Sequence, residues 1–165
     1  MIFVTVGTHE QPFNRLIKKL DEMVENKLIQ DEIFAQIGYS TYEPKHYKWS
    51  KFLSSDEMDH YMQEATTVIC HGGPATFMKS LSLGKKTIVV PRQKKYDEHV
   101  NDHQLVFAQE VRKKGYGILI AENLDDLAEM INKKEEDTSM SSNNDQFILN
   151  FKNEIKKMNI SNKHG

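Results

Sequence analysis

The stretch that most constrains this chain runs from Thr67 to Gln104, TVICHGGPATFMKSLSLGKKTIVVPRQKKYDEHVNDHQ. Val68, Ile69 and Cys70 make a short apolar run of the kind that forms a buried strand, and His71-Gly72-Gly73-Pro74 then turns it into a helix. Two glycines let the backbone turn tightly and approach a ligand. Pro74 suits the first helical position, where its missing N–H costs nothing. The N–H groups of that helix start face whatever sits in the turn, and the helix dipole favours an anion there, most naturally a phosphate. After Phe77 to Leu83, Gly84 closes the helix, and Thr87 to Val90 supply the next strand, ending at Pro91. Beyond it lies a polar cluster, Asp97, Glu98, His99, Asn101, Asp102, His103 and Gln104, at the start of another helix. Strand, glycine turn, helix, strand and polar cluster together describe half of a nucleotide-binding α/β domain, with the ligand at the carboxyl ends of parallel strands.

The rest of the chain repeats the alternation. Ile2 to Val6 form a first strand, broken by Gly7-Thr8. Phe13, Leu16, Ile17, Leu20, Met23 and Val24 recur at helical spacing, which places Asn14, Arg15, Lys18, Lys19 and Asp21 on the opposite, polar face. Glu32 to Ile37 give a second strand. The segment from Tyr39 to Trp49 has no clear period, and a short strand fits at Lys51 to Leu53. Ser54 and Glu57 have capping-box spacing before a helix carrying Met58, Tyr61, Met62 and Ala65. Asn101 to Lys114 read as a helix with Val106, Phe107 and Val111 inward, ended by Gly115. Tyr116 to Ile120 read as a last strand, and Asn123 caps a helix through Leu124, Leu127, Met130 and Ile131. This pattern predicts an α/β fold, a doubly wound, mostly parallel Rossmann-like sheet over residues 1–132. The run KKEEDTSMSSNND predicts a flexible linker over 133–145, and Phe147, Ile148, Phe151, Ile155 and Met158 predict an amphipathic tail helix over 146–160.

Charge and composition narrow the function classes. In 165 residues, 22 basic against 24 acidic side chains leave a formal charge of −2, so no global field favours nucleic acid, although Arg92, Lys94 and Lys95 could form a local basic patch. The single cysteine, Cys70, lies in an apolar strand and suits a reducing cytoplasm. No run approaches the roughly 20 apolar residues that span a bilayer, so any membrane attachment is expected through surface contact or a partner.

The candidate chemistry sits at two turns. Gly7-Thr8-His9 and His71-Gly72-Gly73 both follow strands, and in a parallel sheet both lie at the same edge, within reach of one ligand. Thr76, in the first turn of its helix, can offer a hydroxyl to a phosphate. His71, as imidazolium or as a neutral donor, can hydrogen-bond a departing pyrophosphate. Glu98, Asn101, Asp102 and Gln104 suit the hydroxyls of a sugar, and the same residues also suit a solvated helix start. His99 and His103 have a spacing that can hold a metal, but no third ligand completes a motif, and no metal site is expected. The first turn, GTHEQP, lacks the G-x-G-x-x-G spacing of dinucleotide binders.

The run HGGPATFMKSLSLGKKTIVVPR followed by DEHVNDHQ, with VTVGTHEQPFNRL at the start, resembles the carboxy-terminal, donor-binding domain of GT-B glycosyltransferases of family 28. Within that family it is similar to the small subunits of split bacterial exopolysaccharide and capsule glycosyltransferases. The resemblance covers about residues 1 to 120. It implies that Gly7, Thr8, His71, Gly72, Gly73 and Thr76 hold the diphosphate of a UDP-sugar substrate, with no further cofactor, and that Glu98, Asn101, Asp102 and Gln104 contact the donor sugar. Many members carry a glutamate for the ribose hydroxyls where Lys79 stands here, and a lysine cannot accept those bonds. The resemblance further implies hexosyl transfer to a lipid-linked saccharide, completed by a membrane-associated, acceptor-binding subunit. It places the chain in the cytoplasm, peripheral to the inner face of the membrane. His9 is the one candidate general base in this chain. The competing expectation is a non-catalytic nucleotide-sugar-binding subunit that stabilises or stimulates a separate transferase.

Overall fold

The computed structural model describes residues 1–133. Within them the elements run β1 (Ile2–Thr5), α1 (Asn14–Glu25), β2 (Ile33–Gln36), β3 (Lys48–Ser50), α2 (Ser55–Glu64), β4 (Thr67–Cys70), α3 (Pro74–Ser82), β5 (Lys86–Val89), α4 (His103–Lys113), β6 (Ile118–Ile120) and α5 (Leu127–Asn132). Short 3-10 turns occupy Lys94–Tyr96 and Leu124–Asp126. The six strands form one sheet in the order β3-β2-β1-β4-β5-β6, and every pairing is parallel. This is the doubly wound architecture expected from the alternation. The chain builds outward from β1 to one side and then returns to build β4, β5 and β6 on the other, which makes the β1–β4 boundary the topological switch point.

Both faces of the sheet are covered, which is why its central strands read as unbroken apolar runs. Successive strand residues point to opposite faces. Ile2, Val4, Ile69 and Ile88 pack beneath Leu16, Ile17 and Leu20 of α1 and Leu127 and Ile131 of α5. Phe3, Val68, Cys70 and Val89 face the other way, toward Met62 of α2, Phe77 of α3 and Phe107 of α4. Ser54 and Glu57 form the reciprocal capping box read from their spacing. Cys70 is fully buried, and desolvation pushes its thiol well above the usual range.

Three local expectations are corrected. The strand expected at Lys51 to Leu53 forms at Lys48–Ser50 instead, paired so that Trp49 lies opposite Ala35. That register packs Trp49 against the core and lets its indole N–H donate to the Pro44 carbonyl at 3.0 Å, a gain that an aperiodic aromatic segment does not advertise. Asp21, expected on the polar face of α1, is buried. It accepts from Tyr42 Oη at 2.7 Å, from the backbone N–H groups of Lys45 and His46, and from His46 Nδ1, and so pins the β2–β3 connection to α1. Burial alone would raise its pKa, but the hydrogen bonds from Tyr42, Lys45 and His46 outweigh burial and hold the carboxyl below its ordinary value. In α4 the buried positions are Gln104, Phe107, Ala108 and Val111, a regular i, i+3, i+4, i+7 stripe, and Val106, expected inward, is 48% exposed. The expected linker from residue 134 onward and the tail helix lie outside the described residues.

Candidate functional site

The switch point brings the two glycine turns into contact. Thr5 and Cys70, the last residues of β1 and β4, are paired partners, and the His71 N–H extends the ladder to the Thr5 carbonyl at 3.1 Å. Gly7 has φ +76°, in the left-handed region, and a Cβ there would lie 2.5 Å from His71 Nε2. A Cβ on Gly73 would collide with Cε1 of the same ring. The imidazole of His71 therefore lies against both turns, and the absence of side chains at Gly7 and Gly73 is what admits it.

The partners of His71 determine its chemistry. Its Nδ1 accepts from the Gly73 N–H at 3.1 Å, and Gln104 Nε2 approaches the same atom at 3.4 Å. With Nδ1 acting as acceptor, the proton of the neutral ring resides on Nε2, the atom that faces Gly7. Desolvation, followed by the charge of Arg92 and the neighbouring His9 and His99, pushes the His71 pKa down to about 3. Of the two states read from sequence, imidazolium or neutral donor, the structure selects the neutral donor near pH 7.

The amides of Gly72 and Gly73, two of the residues that the resemblance implies for the diphosphate, are already used within the protein. Gly72 N–H donates to Gln104 Oε1 at 3.0 Å, and Gly73 N–H donates to His71. What the second turn keeps for an anion is the His71 Nε2–H and the start of α3. The first bond of that helix runs from Phe77 N–H to the Gly73 carbonyl, so the Ala75 and Thr76 amides lie ahead of the ladder, beside the half-buried Thr76 hydroxyl.

Arg92 is corrected outright. Read as part of a surface basic patch, it is the largest fully buried side chain of the described residues. Its guanidinium donates to the Val6 carbonyl from Nη2 at 2.7 Å and from Nε at 3.3 Å, and from Nη1 to the carbonyls of Gln11 at 2.7 Å and Glu98 at 3.0 Å. It also lies over the Phe13 ring, 5.0 Å from the centroid. Burial lowers its pKa to about 10, against the opposing pull of Glu98, so the charge persists at neutral pH.

The polar cluster is ordered by the protein itself. The Glu98 carboxylate takes a forked pair from Arg15, at 2.8 and 3.0 Å, and a third bond from Gln93 N–H. Gln104 Oε1 accepts from Arg92 N–H as well as from Gly72. Asn101 Oδ1 takes the His103 N–H and Asp102 Oδ1 takes the Lys94 N–H, which organises the approach to α4. Among the described residues, Asn101 Nδ2 and Asp102 Oδ2 make no protein hydrogen bond, whereas Glu98 and Gln104 turn their acceptors inward. Thr8 is exposed at the rim. His9 stacks on His99 with ring centroids 4.4 Å apart, and its Nε2 pairs with Gln11 Oε1 at 2.8 Å, while Gln11 Nε2 donates to the Asp97 carbonyl. In the neutral tautomer that fits this contact, His9 carries its proton on Nε2 and a lone pair on Nδ1. His99 is buried, and burial, with His9, Arg92 and His103 nearby, holds its pKa below the ordinary value against the pull of Asp102. Among the described residues no group of three or more His, Cys, Asp or Glu is placed to hold a metal ion. Lys79, the departure noted from sequence, forms an ion pair with Asp59 of α2.

A parallel sheet of this strand order, with two glycine turns facing each other at its switch point, defines a Rossmann-like domain of the doubly wound class. The glycosyltransferase family 28 C-terminal domain matches residues 1–158, and the chain belongs to that family. It is 29% identical over 126 residues to the UDP-N-acetylglucosamine transferase subunit ALG13 of Mus musculus, across 69% of this chain and 10% of that protein. The corresponding human subunit is 30% identical over 129 residues, across 70% and 10%. The chain thus spans about a tenth of the length of these curated relatives. The crystal structure of the glycosyltransferase SnogD from Streptomyces nogalater superposes with a TM-score of 0.49 at 15% identity, across 95% of this chain and 39% of that one.

Proposed function

We propose that this chain is the donor-binding, catalytic subunit of a two-component glycosyltransferase. It moves a hexosyl group from a UDP-sugar to a lipid-linked saccharide in exopolysaccharide or capsule biosynthesis. The observation that carries the reading is the meeting of the two glycine turns around the neutral Nε2–H of His71, beside the start of α3, in a chain of this family. An acceptor hydroxyl attacks the anomeric carbon, the bond from that carbon to the diphosphate oxygen breaks, and UDP leaves with the bonding electrons. His71 Nε2–H, the Ala75 and Thr76 amides and the Thr76 hydroxyl hydrogen-bond the departing diphosphate, and the α3 dipole favours its charge. Gly7 and Gly73 keep the approach open, and Thr8 lies at its rim. Asn101 and Asp102 offer free polar atoms to the sugar, and the His9 Nδ1 lone pair is this chain's candidate to receive the acceptor proton. The acceptor-binding half is a membrane-associated partner, which holds this chain at the inner face of the membrane. The naming of both mammalian relatives as subunits of a transferase supports a partnered arrangement.

A second reading draws on one specific observation. Glu98 and Gln104 have their acceptors engaged within the protein, and the Gly72 and Gly73 amides are likewise occupied. A subunit that binds the nucleotide-sugar and stimulates a transferase active by itself would need no more than this.

Calorimetric titration of the purified chain with UDP, a panel of UDP-sugars and NAD tests the first reading, with His71→Ala as control. Preferential binding of one UDP-sugar, weakened in the variant, supports it, and binding of NAD alone refutes it. Assaying the acceptor-binding partner with and without this chain separates the two readings, because activity of the partner alone favours the stimulator.

A further inference from the structure

We propose that Arg92 is a positioning residue for donor binding: its buried guanidinium locks the first glycine turn and the polar loop before α4 onto the end of β5, directly behind His71. The inference rests on the donor-site reading above.

The geometry is that of a three-way clamp. Val6 and Gln11 flank the first turn, Glu98 belongs to the polar loop, and Arg92 itself follows β5. One planar fork meets carbonyls from both segments, a pattern that a point-charge ammonium on a flexible stem cannot reproduce. Turning the Val6 carbonyl inward fixes the Val6–Gly7 peptide plane, whose N–H points the opposite way, to Thr5 Oγ1 at 3.3 Å. The orientation of Gly7 is set by this plane, and Gly7 is the surface on which His71 Nε2 rests. The backbone of Arg92 completes the frame, because its N–H shares Gln104 Oε1 with Gly72 and so ties β5 to the second turn. The Glu98 carboxylate takes its forked pair from Arg15 and acts on the Arg92 guanidinium only through space, while the Glu98 carbonyl accepts from it directly. The cluster of Arg15, Glu98 and Arg92 therefore keeps a net positive charge beside the turns, the sign that a diphosphate requires.

The charged and titratable neighbours of His71 are Arg92 at the end of β5, His9 in the first turn and His99 in the polar loop, with the neutral Gln104 on α4. Of the three, Arg92 is the permanent cation, and removing it lifts the largest charge that opposes protonation of the ring.

The test compares wild type, Arg92→Lys and Arg92→Gln as full-length chains. Side-chain nitrogen NMR follows the tautomer and titration of His71 between about pH 5 and 8, and calorimetry follows UDP. In wild type His71 stays neutral, with its proton on Nε2, through that range. In Arg92→Gln the ring takes up protons at higher pH than in wild type, seen first at the acid end of the range because burial, the larger cause, still holds the ring below its ordinary value, and UDP binding weakens on the order of tenfold or more. Arg92→Lys keeps the His71 titration near wild type while still losing UDP affinity, because it keeps the charge and loses the fork. A folded Arg92→Gln whose His71 titration and UDP affinity both match wild type overturns the proposal. If either variant fails to fold, the wild-type chain decides. Slow exchange of the Arg92 guanidinium protons, with a shift on UDP addition, upholds the role, and rapid exchange with no response to UDP overturns it. A wild-type chain that ignores UDP refutes the functional reading, and the His71 comparison still judges whether Arg92 sets the site.

Discussion

The two glycine turns at the switch point are built in contrasting ways. The turn after β4 is closed at Gly73 by its own side chain, His71 reaching two residues forward, and at Gly72 by Gln104, 32 residues later. The turn after β1 is fixed from far away, its Val6 and Gln11 carbonyls held by an arginine 86 and 81 residues later in the chain. Both nonetheless depend on one imidazole, which packs against Gly7 and Gly73 alike.

The sharpest way to break the comparison is Gly7→Val. A side chain there combines positive φ with a collision against His71, so a loss of about 3 kcal/mol or more in urea unfolding is expected, with UDP binding abolished. Gly84→Ala isolates the backbone part. Its φ is +71° with nothing within 4 Å of the new Cβ, and a cost of about 1 kcal/mol is expected. Similar losses at the two glycines would show that His71 does not lie on the first turn.

Next in size is His71→Ala, which leaves the Gly73 amide without its acceptor. A stability loss of about 1–2 kcal/mol is expected, with a fall in UDP affinity on the order of tenfold or more. Unchanged affinity in a folded variant would remove His71 from the donor site.

The pH response follows in sign from the lowered pKa of His71. Its folded value is about 3, and an exposed histidine in the unfolded chain titrates near 6.5, so between these the unfolded state binds more protons. Stability is at full strength above about pH 6.5 and declines as the pH falls toward 3. His99 acts in the same direction, and Asp21 adds a further loss as the pH drops below the ordinary carboxylate range. Urea midpoints at about pH 7.5 and 4.5 should differ more for wild type than for His71→Gln, and equal differences would contradict the buried neutral ring.

The smallest effect is expected at Val106→Ser, within about 0.5 kcal/mol, set against about 3–5 kcal/mol for Phe107→Ala. A reversal of that order would restore the inward orientation that the sequence pattern suggested for Val106.

Much of the fold was legible because it is written in local periods. Strands β1, β2, β4 and β5 are short apolar runs bounded by turn residues. The α1 stripe and the Ser54–Glu57 capping box follow helical spacing, and both glycine turns announce themselves. What misled were residues whose burial depends on partners distant in sequence. Asp21 looks like a surface carboxylate until the connection carrying Tyr42, Lys45 and His46 folds over it. Trp49 gives no period because its place is set by pairing with β2 and by Pro44. The residue types of Glu98 and Gln104 suit a sugar's hydroxyls and a solvated helix start alike, and only Arg15, Gln93, Arg92 and Gly72 show where their acceptors point. The clearest available signal for Arg92 was its place directly after the apolar run and Pro91, where a charged side chain at a strand end must find compensation or reach solvent.

By itself, then, the sequence determined the alternating α/β architecture and the two turns that follow β1 and β4, because hydrophobic period and turn chemistry are properties of neighbouring residues. The tertiary structure alone decided that these turns share one neutral histidine and stand on one buried arginine. A charge can be buried only where carbonyls converge on it, and here they converge from Val6, Gln11 and Glu98 once the sheet has brought β1 and β5 to either side of β4.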